Sequence, residues 1–220
     1  MFLMPPKNEN RIEREAVSDT MWGENRGPKE AEVYFDSWIC RRPKGDTYDE
    51  CTAPEYYFGP EKIAAALLPR LAPKSDVLDV GCGTGSAGIP FVNAGHVVVG
   101  ADISEEALKK ARINGYDKTL KLNLALAEQI APSNSVDAVV CVGVLDEWIR
   151  SDVLIGRLIS PLRKKASIGL TLNETFAKSA EVVAALKKSG FSIHENAVGK
   201  GWHHPDYDAE RFHYIVASRL

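Results

Sequence analysis

The sequence has few cysteines, no long apolar run and almost no excess of charge, and each of these absences excludes some classes of protein. Its four cysteines, at 40, 51, 82 and 141, show neither a C-x-x-C pair nor zinc-ligand spacing, which indicates reduced thiols and a cytoplasmic location. No apolar stretch approaches the length that spans a bilayer, and the apolar start of the chain is too short for a signal peptide. A formal charge of −3 gives no electrostatic reason to expect a nucleic-acid partner.

The chain divides into three parts by composition. Its 220 residues suffice for one domain with a substantial core and an added cap, as a monomer or a homodimer. Residues 1–30 are polar and interrupted by proline and glycine, which is typical of a flexible arm. Residues 31–58 are crowded with aromatics that need burial, so we expect a helical cap on the core, or a substrate lid that also packs there. Residues 59–220 then form the ligand-binding domain.

Short apolar segments alternate with amphipathic helical patterns after residue 59, which predicts an α/β fold. Strands are predicted over 77–80, 96–101, 118–124, 136–142, 166–172, 191–194 and 212–217. Helices are predicted over 60–71, 86–94, 181–188 and from a cap at Ser104. Right-handed crossovers between such elements give a Rossmann-like doubly wound sheet, mostly parallel with a last antiparallel strand and an N-terminal helical cap.

A glycine-rich turn after the first predicted strand is the clearest sign of a ligand site. Gly81, Gly83 and Gly85 let the backbone turn sharply and remove the side chains that would keep a ligand away. A helix that starts near Ser86 would point its backbone amides at the same place. A nucleotide-like ligand at the carboxyl edge of the strand is therefore the first hypothesis.

Two carboxylates bear on which nucleotide binds. Gly83, Gly85 and Gly88 satisfy the G-x-G-x-x-G pattern of dinucleotide binders, which alone is weak evidence. Asp79 lies within the strand, where it would disfavour a pyrophosphate and favour a ligand that carries an ammonium and a sulfonium. Asp102, at the end of the second strand, can accept hydrogen bonds from both ribose hydroxyls of either ligand.

The run Leu78-Asp79-Val80-Gly81-Cys82-Gly83-Thr84-Gly85 resembles the first motif of the class I S-adenosylmethionine (SAM)-dependent methyltransferases. The resemblance implies that SAM is the cofactor and that this motif and Asp102 bind it, with Ile103 beside the adenine ring. Looser likeness to the UbiE-like and methyltransferase-like 27 groups adds Tyr34, in the run Tyr34-Phe35-Asp36-Ser37-Trp38.

The resemblance also implies roles for residues after the third and fourth strands. Where the family often has an acid that binds the adenine amino group, this chain has Leu126-Ala127-Glu128, so Glu128 or a backbone carbonyl would take that role. Val142, a candidate cofactor-binding residue, closes the fourth strand, near the place where the family holds the methyl acceptor, and Asp146 follows it. An N/D-P-P-Y-like tetrapeptide is missing from this position, which argues against DNA and glutamine as acceptors.

The segment 195–210 is predicted as a long loop on the ligand side of the sheet, and it contains His203 and His204. Adjacent histidines rarely converge on one metal ion, so we expect no metal site. Either histidine could accept a proton from the nucleophile, although surface turn residues explain the pattern equally well.

The function that these residues indicate is methyl transfer from SAM to a small-molecule acceptor, with His203, His204 and Asp146 as candidate catalytic residues. Two alternatives remain open from the residues alone: a NAD-dependent oxidoreductase that uses the glycine pattern, and a non-catalytic SAM-binding protein.

Overall fold

A seven-stranded sheet organises the protein. The computed structural model describes residues 47–124, 126–145, 151–174, 178–205 and 209–219, together with Val33 and Asp36. The strands are β1 (Asp76–Val80), β2 (Val97–Asp102), β3 (Lys118–Lys121), β4 (Val136–Leu145), β5 (Leu162–Asn173), β6 (Phe191–Trp202) and β7 (Glu210–Arg219). Their order in the sheet is β3-β2-β1-β4-β5-β7-β6.

The first five strands are parallel, and β7 lies antiparallel between β5 and β6. This confirms the predicted doubly wound sheet with a last antiparallel strand. The order reverses between β1 and β4, and in such sheets a ligand binds at the carboxyl edge beside that reversal. The glycine-rich turn after β1 lies there.

Helices cover both faces of the sheet. They are α1 (Tyr48–Cys51), α2 (Gly59–Leu67), α3 (Ile89–Asn93), α4 (Glu105–Ile113), α5 (Ser151–Ile159) and α6 (Ser179–Lys188), with a 3-10 turn over Leu68–Arg70 after α2. Apolar side chains of α2, α3 and α4 form one buried cluster, and those of α5 and α6 form another on the opposite face. Among the described helices, none has the length and apolarity needed to cross a membrane.

Helix α3 starts later than predicted. It begins at Ile89 rather than near Ser86, because the glycine-rich segment forms successive turns instead of a helical first turn. The Gly85 amide donates to the Cys82 carbonyl at 2.9 Å, and the Gly88 amide donates to the Gly85 carbonyl at 3.0 Å. With five residues, α3 does not supply the anion-binding helix end that the sequence suggested.

Strand β6 is the largest departure from the sequence prediction. It continues from Phe191 to Trp202, so the first half of the segment predicted as a loop lies in a strand that pairs with β7. Its burial pattern shows mainly half-buried and exposed positions before the buried pair Gly201 and Trp202, as suits an edge strand. The polar composition of 195–200 therefore resembles a loop although its backbone is in the sheet.

The segment 47–58, which we call the cap segment, is joined to the end of β6. The Trp202 indole donates to the Cys51 carbonyl at 2.7 Å, and the Phe58 amide donates to the Gly201 carbonyl at 2.9 Å. Tyr57 forms an antiparallel bridge with Trp202. These bonds hold the cap segment at the carboxyl edge of the sheet.

Candidate functional site

The turn after β1 is tied directly to β2. The amides of Gly81 and Cys82 both donate to the Ala101 carbonyl, at 2.7 Å and 3.1 Å. Gly81 has φ +69°, and a Cβ there would lie 2.3 Å from a methyl group of Val144. Only glycine fits this position, since both the backbone angle and the neighbouring side chain exclude larger residues.

Asp102 holds the glycine-rich turn in place. One carboxylate oxygen accepts from the Gly83 amide at 2.8 Å, and the other accepts from the Ser104 amide at 2.9 Å. Burial raises the pKa of Asp102, and these two amides act in the opposite direction. Ser104 caps α4 through its hydroxyl, as predicted, by accepting from the Ala107 amide at 3.1 Å. Each Asp102 oxygen keeps acceptor capacity for a ribose hydroxyl.

Asp79 is buried, and only one of its two oxygens has a partner. Its Oδ2 accepts from the Tyr116 hydroxyl at 2.5 Å, whereas Oδ1 has no hydrogen-bond partner among the described residues. Burial raises the pKa of Asp79 to about 7, opposed by the hydrogen bond from Tyr116. A cationic ligand group at Oδ1 would satisfy the second oxygen and favour the ionised carboxylate.

Tyr116 is a site residue that the sequence analysis missed. A Cβ at Gly85, Gly88 or Gly100 would lie within 3 Å of its ring or hydroxyl, so three glycines make room for one tyrosine. Its hydroxyl also lies 3.0 Å from the Gly85 carbonyl. The available signal was Gly100, a glycine inside a strand, which indicates a close approach by another group.

The Cys82 side chain packs against β2. Its Sγ is buried and would lie 2.7 Å from a Cβ at Gly100 in β2. Burial raises the pKa of this thiol well above its usual range, which makes it inert.

The predicted adenine-side residues occupy two loops. Ile103, after β2, and Ala127 are half-buried, and Glu128 is exposed. Leu126, where the family often has an acid, has 62% of its surface exposed. Tyr34, in the predicted cap, lies outside the described residues.

Near the end of β4 the backbone is irregular. Gly143 has φ +70°, and the pairing of β4 with β5 shifts register between Cys141 and Leu145. The Gly143 amide donates to the buried Thr171 hydroxyl at 2.8 Å, a contact the sequence did not suggest. Val142, just before the kink, is buried with 6% exposure. Asp146 lies outside the described residues.

His203 and His204 follow β6 directly and face different surroundings. The His203 amide donates to the Tyr56 carbonyl at 2.7 Å, while its side chain is exposed. The half-buried His204 ring packs edge-on against Tyr56, with 4.5 Å between ring centroids, and stacks on Trp202 at 5.9 Å. Within the described ranges, no group of three or more side chains could hold a metal ion.

Comparisons with known proteins agree with this geometry. Residues 77–165 match the family model of the methyltransferase domain. Over 164 residues the chain is 28% identical to the magnesium-protoporphyrin O-methyltransferase of Synechocystis sp., which covers 71% of this chain and 69% of that protein. Over 160 residues it is 30% identical to the ubiquinone biosynthesis O-methyltransferase of Xanthomonas campestris, which covers 66% of this chain and 65% of that protein.

Solved structures share the fold. The crystal structure of magnesium protoporphyrin IX methyltransferase from Synechocystis with bound SAM superposes with a TM-score of 0.65 at 22% identity, over 90% of this chain and 99% of that one. A TehB-like SAM-dependent methyltransferase from Corynebacterium glutamicum gives a TM-score of 0.58 at 16% identity, over 88% of this chain and 100% of that one.

The sheet order, the glycine-rich turn at the reversal and the matched domain indicate the class: residues 77–165 match a methyltransferase domain, and the fold is shared with SAM-dependent methyltransferases. The protein is an enzyme of that class that transfers a methyl group from SAM to a small molecule. The alternatives left open by the sequence, an oxidoreductase and a non-catalytic binding protein, gain no support from these matches.

The residues present fit SAM as the cofactor. The buried Asp79 Oδ1 has no partner in the described part of the chain, which suits an ammonium group. The turn at Gly81 and Gly83 has no side chain that would hold a ligand away from the backbone. Asp102 stands at the end of β2, where it can bind a ribose.

Proposed function

We propose that the enzyme methylates an oxygen atom of a small, largely apolar acceptor that binds beneath the cap segment. One observation carries this proposal: the cap segment is bonded to the end of β6, so that Tyr57, Trp202 and Phe212 pack together in a buried apolar cluster at the carboxyl edge. Apolar surroundings favour an apolar acceptor. The two relatives named above are O-methyltransferases, which supports oxygen as the atom that is methylated.

Different residues of the proposed cofactor site bind different parts of SAM. Asp79 pairs with the ammonium, Asp102 accepts from the ribose hydroxyls, and the turn over 81–85 lets the ligand approach the backbone. Ile103 and Ala127 border the adenine ring, with Glu128 or a nearby carbonyl at its amino group. SAM supplies a methyl group already activated by its sulfonium. The protein therefore contributes mainly alignment of the nucleophile.

The acceptor side is proposed to lie between the kinked end of β4 and the turn after β6. Val142 and the Gly143 kink bound it on the β4 side, and Asp146, which follows β4 in the sequence, is a further candidate. His203 and His204 bound it on the β6 side, where an imidazole can orient the nucleophile or take its proton.

Turnover with a panel of acceptors tests the proposed reaction. Purified enzyme is incubated with methyl-labelled SAM and matched phenols, carboxylic acids, amines and thiols on the same aromatic frame. We expect label in methyl ethers or esters and none in the amine or thiol products. Transfer to nitrogen or sulfur alone would overturn the choice of oxygen while leaving methyl transfer intact.

Replacement of the two histidines tests the catalytic proposal. If one imidazole takes the proton, the double change His203→Ala and His204→Ala should lower kcat by about 10²- to 10⁴-fold and leave SAM affinity unchanged. His194→Ala, at the start of β6 and away from the carboxyl edge, is the matched control. Turnover of the double variant within twofold of the wild type would remove both residues from the site.

Truncation tests the proposed division into a flexible arm (1–30), a cap (31–58) and a core domain (59–220). Removal of residues 1–30 should leave the melting temperature nearly unchanged. Removal through Phe58 should lower it, because it deletes the partners of Gly201 and Trp202. Unfolding by the shorter deletion would show that the arm is structural.

A cytoplasmic location and the lack of a nucleic-acid partner remain predictions from cysteine spacing and charge.

A further inference from the structure

We propose that Tyr57 is a cofactor-binding residue, and that its hydroxyl donates a hydrogen bond to the carboxylate at the amino-acid end of SAM. The inference rests on the proposed cofactor site, in which Asp79 holds the neighbouring ammonium. Neither the family motif nor the sequence analysis assigns a role to Tyr57.

Tyr57 is almost completely buried, and its hydroxyl is unsatisfied. Its exposure is 2%, and the oxygen has no hydrogen-bond partner among the described residues. Buried hydroxyls nearly always have a partner, because burial removes the hydrogen bonds that water would make. Among the described residues, Asp79 Oδ1 is the only carboxylate oxygen that is also buried without a hydrogen-bond partner. A ligand that satisfies both groups explains both exceptions.

The Tyr57 ring is held firmly, so its hydroxyl cannot turn to solvent without disturbing the cap segment. The backbone of Tyr57 bridges to Trp202, and its ring packs edge-on against Phe212 with 5.9 Å between centroids. At Gly59, two residues on, a Cβ would lie 2.8 Å from a methyl group of Val142. Glycine here lets the cap segment approach the end of β4.

The Tyr57 ring lies on the side of the sheet that Asp79 faces. In β1 the side chain of Asp79 is on the same face as Val77, which packs in the same buried cluster as Tyr57, whereas Leu78 and Val80 pack in the cluster on the opposite face. Burial raises the pKa of Tyr57, and the charges of Tyr48, Glu210, Tyr214 and Asp79 act in the same direction. The Tyr48 hydroxyl lies 3.3 Å from the position of a Cβ on Gly83, so this part of the cap segment covers the glycine-rich turn.

The chemistry of the two unsatisfied groups selects one part of the ligand. Asp79 can accept from an ammonium, and a neutral tyrosine can donate to a carboxylate. An α-amino acid carries both groups on one carbon, whereas the adenosine end carries neither. The pair therefore recognises the amino-acid end.

Tyr57→Phe, measured by calorimetry with two ligands, tests the inference. S-adenosylhomocysteine contains the amino-acid end, and 5′-methylthioadenosine lacks it. Loss of a hydrogen bond to a charged group should weaken S-adenosylhomocysteine binding by about 10- to 100-fold and leave methylthioadenosine binding unchanged. The melting temperature of the ligand-free variant should not fall, because the hydroxyl has no hydrogen-bond partner to lose among the residues that the structure describes. Tyr56→Phe, at the adjacent half-buried tyrosine, is the matched control.

Other outcomes overturn the inference. Equal loss for both ligands would mean that Tyr57 shapes the pocket as a whole. Unchanged affinity for both, with a higher acceptor KM, would place the hydroxyl on the acceptor. Wild-type protein that binds neither ligand would instead refute the cofactor site itself, so the two failures can be told apart.

Discussion

Asp79→Asn is expected to weaken SAM binding by about 10- to 100-fold, the value of a hydrogen bond to a charged group, and to stabilise the ligand-free protein above pH 7. The variant keeps an oxygen that can accept from Tyr116, but it carries no charge to pair with the ammonium. The same substitution removes a buried carboxylate that has an unsatisfied oxygen. The affinity for SAM should therefore fall while the stability of the ligand-free protein rises.

The pH dependence follows from the raised pKa. The folded protein holds a proton on Asp79 up to a pKa of about 7, whereas the unfolded chain releases it near the ordinary value of 3.8. The stability that this group contributes is thus fully present below about pH 4 and is lost as the pH rises to about 7. Asparagine does not ionise, so the variant does not lose this stability as the pH rises. The melting temperature of the variant should exceed that of the wild type at pH 8, and by less at pH 5.

Calorimetry and thermal unfolding at both pH values check this prediction. Wild-type affinity for SAM should fall as the pH drops below about 7, since Asp79 must be ionised to pair with the ammonium. Tyr116→Phe is the informative comparison: it retains the carboxylate but removes the hydroxyl that donates to it, so the pH at which affinity falls should move upward. NAD should not bind to the wild type. Full SAM affinity in Asp79→Asn would refute the role of this carboxylate.

The sequence predicted those parts of the site that depend on residues close together along the chain. The turn after β1, the position of Asp102 at the end of β2 and the cap at Ser104 depend on a few residues at fixed spacing. Alternation of strand and helix patterns was enough to predict the sheet, because right-handed crossovers leave few topologies.

The parts that the sequence did not reveal depend on distant contacts. Tyr116 lies 37 residues from Asp79 along the chain and reaches it only because three glycines leave space for its ring. The second half of β6 was predicted as a loop, since an edge strand can carry polar residues on its exposed positions. In both cases local pattern gives no information about the partner.

Trp202 is the residue whose loss should affect stability most. It is fully buried, and its indole donates to the Cys51 carbonyl at 2.7 Å, so it joins β6 to the cap segment. Trp202→Ala should cost about 3–5 kcal/mol, because it leaves a large cavity and removes the hydrogen bond to Cys51. For a chain of this size that lowers the melting temperature by about 6–20 °C.

Two further variants separate the causes of that loss. Trp202→Phe retains an aromatic ring but removes the N–H, so it should cost about 1–3 kcal/mol through loss of the buried hydrogen bond to the Cys51 carbonyl. Val198→Thr, on an exposed position of the same strand, should change stability by less than about 0.5 kcal/mol. If the cap segment depends on Trp202, limited proteolysis should cut within 47–58 faster in Trp202→Ala than in the control. Equal cleavage rates in all three variants would mean that the bonds of Phe58 and Tyr57 alone hold the cap segment in place.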